Sequence, residues 1–148
     1  DVYTAYTGST EDVQKSKEAA QAMIDKGVDL IGGGGNASNA GMIKACEEAG
    51  IYAFGELEQQ NLAPETVIFC NMNNIENLVL QAVKDTIDGD FQGCIREYGI
   101  AADVAQLTEY NSHVPQEVKD KLAECMDQMR SGELDIPMIT EISDDIIH

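Results

Sequence analysis

A short apolar run that ends in four consecutive glycines constrains the fold of this chain more than any other feature. The letters VDLI, at positions 28–31, lead directly into Gly32 to Gly35. A continuous apolar run of this length is typical of a strand buried in a parallel sheet. Glycines after such a strand predict a loop whose backbone can approach a ligand closely, or else a turn that needs positive φ at several positions.

Strand-like and helix-like segments alternate along the chain. The predicted strands are residues 1–8 (DVYTAYTG), VDLI, IYAFG, TVIFC and CIREYGI at 94–100. The predicted helices begin near Ser9, Ala40, Ile75 and Pro115, and they end at Gly27, Gly50, Gly89 and Gly132. Short strands that alternate with helices predict an α/β fold: a three-layer, Rossmann-like domain with a mostly parallel five-stranded sheet.

One domain accounts for most of the chain. We expect it to cover residues 1–137, with residues 101–113 as a polar connection and 138–148 as an unassigned tail of acids and isoleucines. Ser9 and Asp12 resemble a capping box at the start of the first helix. Asn74 has the residue type and position of an N-cap at the start of the third helix.

The charge of the chain excludes two classes of partner. There are 27 acidic and 9 basic side chains, which give a formal net charge of −18. Nucleic acids and anionic membrane surfaces both bind basic patches, and this sequence has none. No apolar run approaches the roughly 18 residues that a membrane span needs, so we expect the chain itself to be soluble and to carry no targeting signal.

The cysteines and histidines do not form a metal site. Cys46, Cys70, Cys94 and Cys125 are widely spaced and lie in apolar patterns, so we expect reduced core residues, although a single disulfide stays possible. Only two histidines are present. The sequence therefore predicts no metal, no cofactor and no catalytic nucleophile paired with a base.

Four loops follow the predicted strands, at 6–10, 32–39, 55–61 and 71–74. Because the carboxyl ends of parallel strands meet at one edge of a sheet, ligands gather there. The glycine loop also supplies the uncharged polar side chains of Asn36, Ser38 and Asn39. These groups suit a hydroxylated or carbonyl-bearing small molecule.

A dinucleotide-binding enzyme is one alternative. Gly32, Gly34 and Ala37 satisfy the pattern GxGxxA, and Glu56 follows at the end of the next strand. Consecutive glycines match many such patterns by chance, so this alternative ranks below a non-enzymatic binding role.

The order and spacing of several segments resemble a known family. The segments are YTGSTEDVQKSKEAAQAMIDKGVDLI, GNASNAGMIKACEEAGIYAFG, LAPETVIF and VPQEVKDKLAECMDQMRSGELDIP. Together they are similar to the basic membrane protein family, the lipoprotein substrate-binding proteins of ABC importers. The resemblance implies the type I periplasmic binding protein fold, of which this chain is similar to the second lobe only.

The resemblance also implies functional positions. The family's glycine-rich loop corresponds to Gly34 through Asn39, and its GVDSDQ loop corresponds to Gly55 through Gln60. The two aspartates of that loop are replaced by Leu57 and Gln59, and a family lysine is replaced by Asn73. The implied ligand is nucleoside-like or another polar metabolite. A first lobe, an ABC permease and an extracytoplasmic, lipid-anchored location in the full-length form are implied as well.

The residues that we expect to contact a ligand are Tyr6, Gly35, Asn36, Ser38, Glu56, Gln59 and Asn73. Tyr6 is a possible wall, and the other six supply backbone, amide, hydroxyl or carboxylate groups. The second hypothesis is a sensory or interaction module of the same fold, in which an exposed apolar face binds a partner protein or a second copy of the chain.

Overall fold

A computed structural model describes residues 2–137 as an α/β domain. The helices are α1 (Val13–Ile24), α2 (Asn39–Ala49), α3 (Ile75–Asp88) and α4 (Gln116–Ser131), and the strands are β1 (Leu30–Gly32), β2 (Tyr52–Glu56), β3 (Val67–Asn73) and β4 (Ala105–Leu107). Short 3₁₀ turns span Gln59–Leu62 and Ile100–Ala102. The unassigned tail at 138–148 lies outside the described residues.

The four strands form one mixed sheet in the order β1, β2, β3, β4. The first three strands are parallel, and β4 pairs with β3 in the antiparallel direction. Gly32 lies opposite Phe54, and Glu56 lies opposite Asn71. The prediction of an α/β fold with a mostly parallel sheet is confirmed, with four strands instead of five.

Two predicted strands are absent from the described residues. Residues 2–7 have no sheet partner, and residues 94–100 are irregular until a short 3₁₀ turn begins. Their alternating side chains find no core: Tyr6 is 94% exposed and Ile95 is 95% exposed. Alternation predicts a strand only where a neighbouring strand and a buried face exist, and both depend on distant parts of the chain.

The fourth strand forms instead inside the segment predicted as a polar connection. The hydroxyl of Thr108 accepts a hydrogen bond from the backbone N–H of Cys70 at 2.8 Å, and the Thr108 N–H donates to the Cys70 carbonyl at 2.9 Å. The Asn111 N–H donates to the carbonyl of Ile68. These contacts with β3 hold the polar segment against the sheet.

Local end signals position the helices well. Helices α2, α3 and α4 end at Gly50, Gly89 and Gly132, and all three glycines adopt the left-handed conformation that favours this residue. The start of α1 differs from the prediction. Asp12, not Ser9, is the N-cap, because its carboxylate accepts the Lys15 N–H at 3.0 Å. That hydrogen bond lowers the pKa of Asp12 below its ordinary value.

The core lies between the α1–α2 pair and one face of the sheet. Its most buried side chains, listed here by element, are Ala45 and Cys46 of α2, Ala53 of β2, and Val67 and Cys70 of β3. All four cysteines are free. Cys94 is exposed, so the expectation that all four are core residues is wrong at that position.

The second face of the sheet is less completely covered. Phe54 stacks on Phe69 with ring centroids 5.7 Å apart, and the edge of Tyr110 contacts Phe69 at the same distance. The side chain of Lys119, near the start of α4, lies over the Tyr110 ring.

None of the helices in the described part of the chain combines the length and the apolar character that crossing a bilayer requires.

Candidate functional site

The carboxyl ends of β1, β2 and β3 lie along one edge of the sheet, which we call the carboxyl edge. The glycine loop leaves β1 there, and the short turn Gln59–Leu62 follows β2. Polar side chains of these two loops are joined by hydrogen bonds. The carboxyl edge is therefore a continuous polar surface made by two loops.

Asn39 is the centre of these hydrogen bonds. Its side-chain amide nitrogen lies 3.3 Å from the Gly33 carbonyl, 3.3 Å from a carboxylate oxygen of Glu56 and 3.2 Å from the side-chain oxygen of Gln59. Asn39 is only 2% exposed although it is polar. A buried polar group is costly unless it is hydrogen-bonded, so these partners explain how the fold accommodates an asparagine here.

Gln59 connects the two loops. Its side-chain oxygen accepts the Glu56 N–H at 3.0 Å, and its amide nitrogen donates to the Asn36 carbonyl at 3.3 Å. The Asn36 amide in turn donates to a carboxylate oxygen of Glu11 at 3.2 Å. We call Asn36, Asn39, Glu56 and Gln59 the Asn39 network.

Lack of space, not backbone conformation, explains three of the four glycines in the run, and a Cβ atom on Gly34 would meet no atom within 4 Å. None of Gly32 to Gly35 has a positive φ, so the interpretation as a turn that needs such angles is wrong. A Cβ atom on Gly33 would lie 2.4 Å from the Asn39 side-chain oxygen, and one on Gly35 would lie 2.4 Å from the Ser38 hydroxyl. The backbone thus approaches the chain's own polar side chains closely.

Leu57 has an unusual backbone conformation beside the Asn39 network. Its φ is +54°, in the left-handed region that a leucine rarely adopts. Its N–H donates to the Asn71 carbonyl at 2.8 Å, and this bond ties the end of β2 to β3. Strain of this kind is found at binding sites more often than elsewhere.

Replacing Leu57 with glycine tests this strain. Leu57→Gly should raise the free energy of unfolding by about 0.5 to 1 kcal/mol, because glycine adopts positive φ without steric cost. Urea unfolding followed by circular dichroism measures the change. Leu62→Gly is the control, because Leu62 is also exposed but has no positive φ, and it should lose stability. Equal losses in both variants would contradict the strain at Leu57.

The structure brings five of the seven predicted site residues together. Gly35, Asn36 and Ser38 lie in the glycine loop, Glu56 is the last residue of β2, and Gln59 begins the turn that follows. Asn39 is equally central but was not among those seven. The sequence signal for it was its position in the polar glycine loop, where nothing distinguished it from its neighbours.

The other two predicted residues make no contact with the Asn39 network, although Asn73 lies at the same carboxyl edge, two residues beyond Asn71, which is opposite Glu56. Asn73 ends β3 and lines a groove of about 200 Å³ beside α4, together with Met126 and Met129. Tyr6 projects from the N-terminal segment across an open space from Gly34. Asn74 caps α3, because its side chain accepts the Asn77 N–H at 3.1 Å, as the sequence predicts.

The cavity beside the Asn39 network is small. It holds about 120 Å³ and is lined by Thr7, Ser16, Ser38 and Asn39 with apolar neighbours. Pockets for small molecules usually measure about 300 to 1,000 Å³. This cavity is therefore too small for such a molecule, whereas the open space between Tyr6 and Gly34 measures about 800 Å³. Within residues 2–137 no cluster of three or more histidine, cysteine or acidic side chains could hold a metal ion.

Known proteins share this sequence pattern and fold. A purine-binding protein of Brucella abortus is 26% identical over 134 residues, which are 90% of this chain and 37% of that protein. The transcriptional activator protein Med of Bacillus subtilis is 23% identical over 136 residues, 90% of this chain and 43% of that protein. A solved solute-binding protein of an ABC transporter system from Aeropyrum pernix K1 superposes with a TM-score of 0.72 at 22% identity, covering 95% of this chain and 48% of that one.

The chain spans less than half the length of each of these relatives. This share is consistent with one lobe of a two-lobed protein. The family model of PnrA-like ABC transporter substrate-binding proteins, Bmp, matches residues 1–140, which is nearly the whole chain. The chain therefore belongs to the PnrA-like family of ABC transporter substrate-binding proteins.

Proposed function

We propose that this chain is one ligand-binding lobe of an ABC-importer substrate-binding protein and that it holds a small polar metabolite without catalysis. The observation that carries the proposal is the Asn39 network, in which the buried Asn39 amide holds the Glu56 carboxylate and the Gln59 amide beside the glycine loop at the carboxyl edge. Such groups bind hydroxyl groups and the polar edges of bases. In this proposal Gly35 and Ser38 supply further polar contacts from the glycine loop.

The proposed ligand is nucleoside-like. One relative is named a purine-binding protein, and this name supports a ligand of that kind here. One carboxylate oxygen of Glu56 accepts a hydrogen bond from the Asn39 amide, and the other can accept a hydrogen bond from a ribose hydroxyl. Leu57, Gln59 and Asn73 carry no charge. The contacts that hold the ligand are therefore mostly neutral hydrogen bonds, which are weaker than charge-assisted ones.

A second lobe completes the proposed site. The cavity that Asn39 lines holds about 120 Å³ and cannot enclose a nucleoside, and the larger space of about 800 Å³ beside Gly34 is open, so the chain alone should bind weakly. The missing wall would come from the first lobe that two-lobed relatives of greater length contain. We further propose that the full-length protein is extracytoplasmic, is anchored as a lipoprotein and delivers its ligand to an ABC permease.

Thermal shift in the presence of nucleosides tests this function. Adenosine, inosine or uridine at about 10 mM should raise the melting temperature by a few degrees, because a ligand that binds only the folded state stabilises it by mass action. Glu56→Gln and Gln59→Ala should each abolish the shift. Glu58→Gln is the matched control, since Glu58 is an exposed acid two residues from Glu56 and its side chain lies outside the Asn39 network.

Three outcomes would contradict the proposal. The first is a shift that survives both network variants, because the ligand would then bind elsewhere. The second is a shift with NAD but with no nucleoside, which would favour the dinucleotide-binding alternative. The third is the absence of any shift in the wild-type chain with all three nucleosides at this concentration.

A regulatory lobe is the second candidate function. The relation to a transcriptional activator protein, 23% identical over 136 residues, is the observation that favours it. In this candidate the Asn39 network is a structural link, and a protein partner replaces the small ligand. A thermal shift that depends on Glu56 and Gln59 would exclude it.

A further inference from the structure

Helix α3 has a row of apolar side chains that face solvent. Ile75, Val79, Val83 and Ile87 recur at intervals of four residues and are 58%, 55%, 46% and 78% exposed. Residues four apart lie on the same side of a helix. We call these four residues the α3 row, and Leu80, 45% exposed, lies beside it.

Nothing in residues 2–137 covers the α3 row. No residue of α3 is buried, although α3 is 14 residues long and clearly amphipathic. The segment after α3 folds back on a different side of the helix, where Arg96 and the Tyr98 hydroxyl bind the carboxylate of Asp85. At the start of α3, Asn77 donates to the Asp103 carbonyl at 3.2 Å. These contacts fix the helix and leave the α3 row open.

The α3 row and Leu80 form one contiguous apolar surface. Each of these five side chains is at least 45% exposed. Contiguous exposed apolar surface on a soluble protein marks an interaction site when it extends beyond scattered single residues. The α3 row is therefore a candidate docking surface.

The geometry points to a second copy of this chain as the occupant, with the two α3 helices antiparallel across a two-fold axis. Glu76 and Lys84 are both exposed, and each lies four residues from Leu80, on opposite sides of it along the helix. An antiparallel pair centred near Leu80 places Glu76 of each copy opposite Lys84 of the other. A parallel pair would place like charges together. Neither residue has an ion-pair partner elsewhere in the described chain.

The packing of the row fits this arrangement. Side chains at intervals of four form the ridges that interdigitate in the commonest class of helix packing, with axes crossing at about −50°. A two-fold axis repeats the same contacts on both copies, so one apolar row is sufficient to build the interface. The interface uses the solvent side of α3 and not the Asn39 network, so this inference is independent of the proposed ligand.

The net charge of the chain predicts how the stability of this dimer depends on salt concentration. Each copy carries −18, so two copies repel one another over long range. Added salt screens that repulsion and should tighten the dimer by several fold between low and physiological ionic strength. A basic partner protein on the same row would show the opposite dependence on salt.

Sedimentation equilibrium of the 148-residue chain tests the dimer. Between about 1 and 100 µM the wild-type chain should pass from monomer to dimer, as expected for a small interface of this kind. Val83→Glu should raise the dissociation constant by about 30-fold or more, because it buries a charge within the interface. Leu62→Glu is the control, since Leu62 is 59% exposed but lies on another surface, and it should leave the dissociation constant unchanged.

A charge swap tests the antiparallel arrangement itself. Glu76→Lys and Lys84→Glu should each weaken the dimer by about tenfold, and the double variant should restore it to within about threefold of the wild type. Glu124→Lys makes the same charge change as Glu76→Lys on exposed α4 and should not weaken association. A wild-type chain that stays monomeric at about 100 µM, a dimer that persists in Val83→Glu, or a double variant that stays weak would each overturn the inference.

Discussion

Replacing Gly41 with alanine is expected to lower the free energy of unfolding by about 3 kcal/mol. Gly41 lies where α1 and α2 cross. A Cβ atom there would lie 2.0 Å from the Val13 carbonyl oxygen and 3.0 Å from the Lys17 backbone nitrogen. These are backbone atoms, so one helix must move as a body. Urea unfolding of the variant followed by circular dichroism measures the loss.

The sign of this effect separates packing from helix propensity. In an exposed helix, Gly→Ala stabilises by about 1 kcal/mol, so propensity alone predicts a gain at Gly41. Gly93→Ala is the control, because a Cβ on Gly93 meets no atom within 4 Å and its φ is not positive. That variant should be neutral or slightly stabilising. A stabilised Gly41→Ala variant would show that α1 and α2 are not in such close contact.

Replacing Asn39 with aspartate should destabilise the fold by about 3 kcal/mol at neutral pH. The amide nitrogen that donates to Glu56 and Gln59 would become an oxygen, and two carboxylates would lie together at a site that is 2% exposed. The Gly33 carbonyl would lose its donor as well. Asn39→Ala should cost less, because it removes the hydrogen bonds without adding a charge.

The pH dependence of the stability loss in Asn39→Asp shows whether repulsion between the two carboxylates causes it. Two carboxylates in contact raise the pKa of one of them above its value in the unfolded chain. A raised folded-state pKa means that stability is lost as pH rises through the range above the unfolded value of about 4. The penalty in Asn39→Asp should therefore be smaller at about pH 4.5 than at pH 7. Asn36→Asp is the control, because Asn36 lies three residues from Asn39 but is exposed, and this change should lower the free energy of unfolding by less than about 1 kcal/mol at either pH. A penalty in Asn39→Asp that does not change with pH would exclude the repulsion.

Local signals predicted the helices and the ends of three strands. The apolar spacing in Ile75–Asp88 and the glycines that follow the helices act within a few residues, so they are visible in sequence. The same holds for β1 to β3, where apolar runs meet loops. Because these strands are parallel, their loops had to share one edge, and Gly35 and Gln59 indeed lie there.

Features that depend on distant atoms were not predictable in the same way. The position of β4 depends on Thr108 and Asn111 bonding to β3, about 40 residues earlier. The burial of Asn39 depends on Glu56 and Gln59 meeting it across two loops. The positive φ of Leu57 could not be foreseen, because leucine is not a residue that indicates it.

Because the cysteines differ in burial, the rate of alkylation at the buried cysteines measures how often the fold opens. Burial raises the pKa of Cys46 to about 11, so at pH 8 its thiol is protonated as well as inaccessible. Cys94 is exposed and should react with iodoacetamide at once, whereas Cys46 and Cys70 should react only in molecules that have transiently unfolded. The chain contains no tryptophan, so its fluorescence emission cannot report unfolding. The mass added by alkylation at Cys46 and at Cys70 reports unfolding separately at each of these two positions.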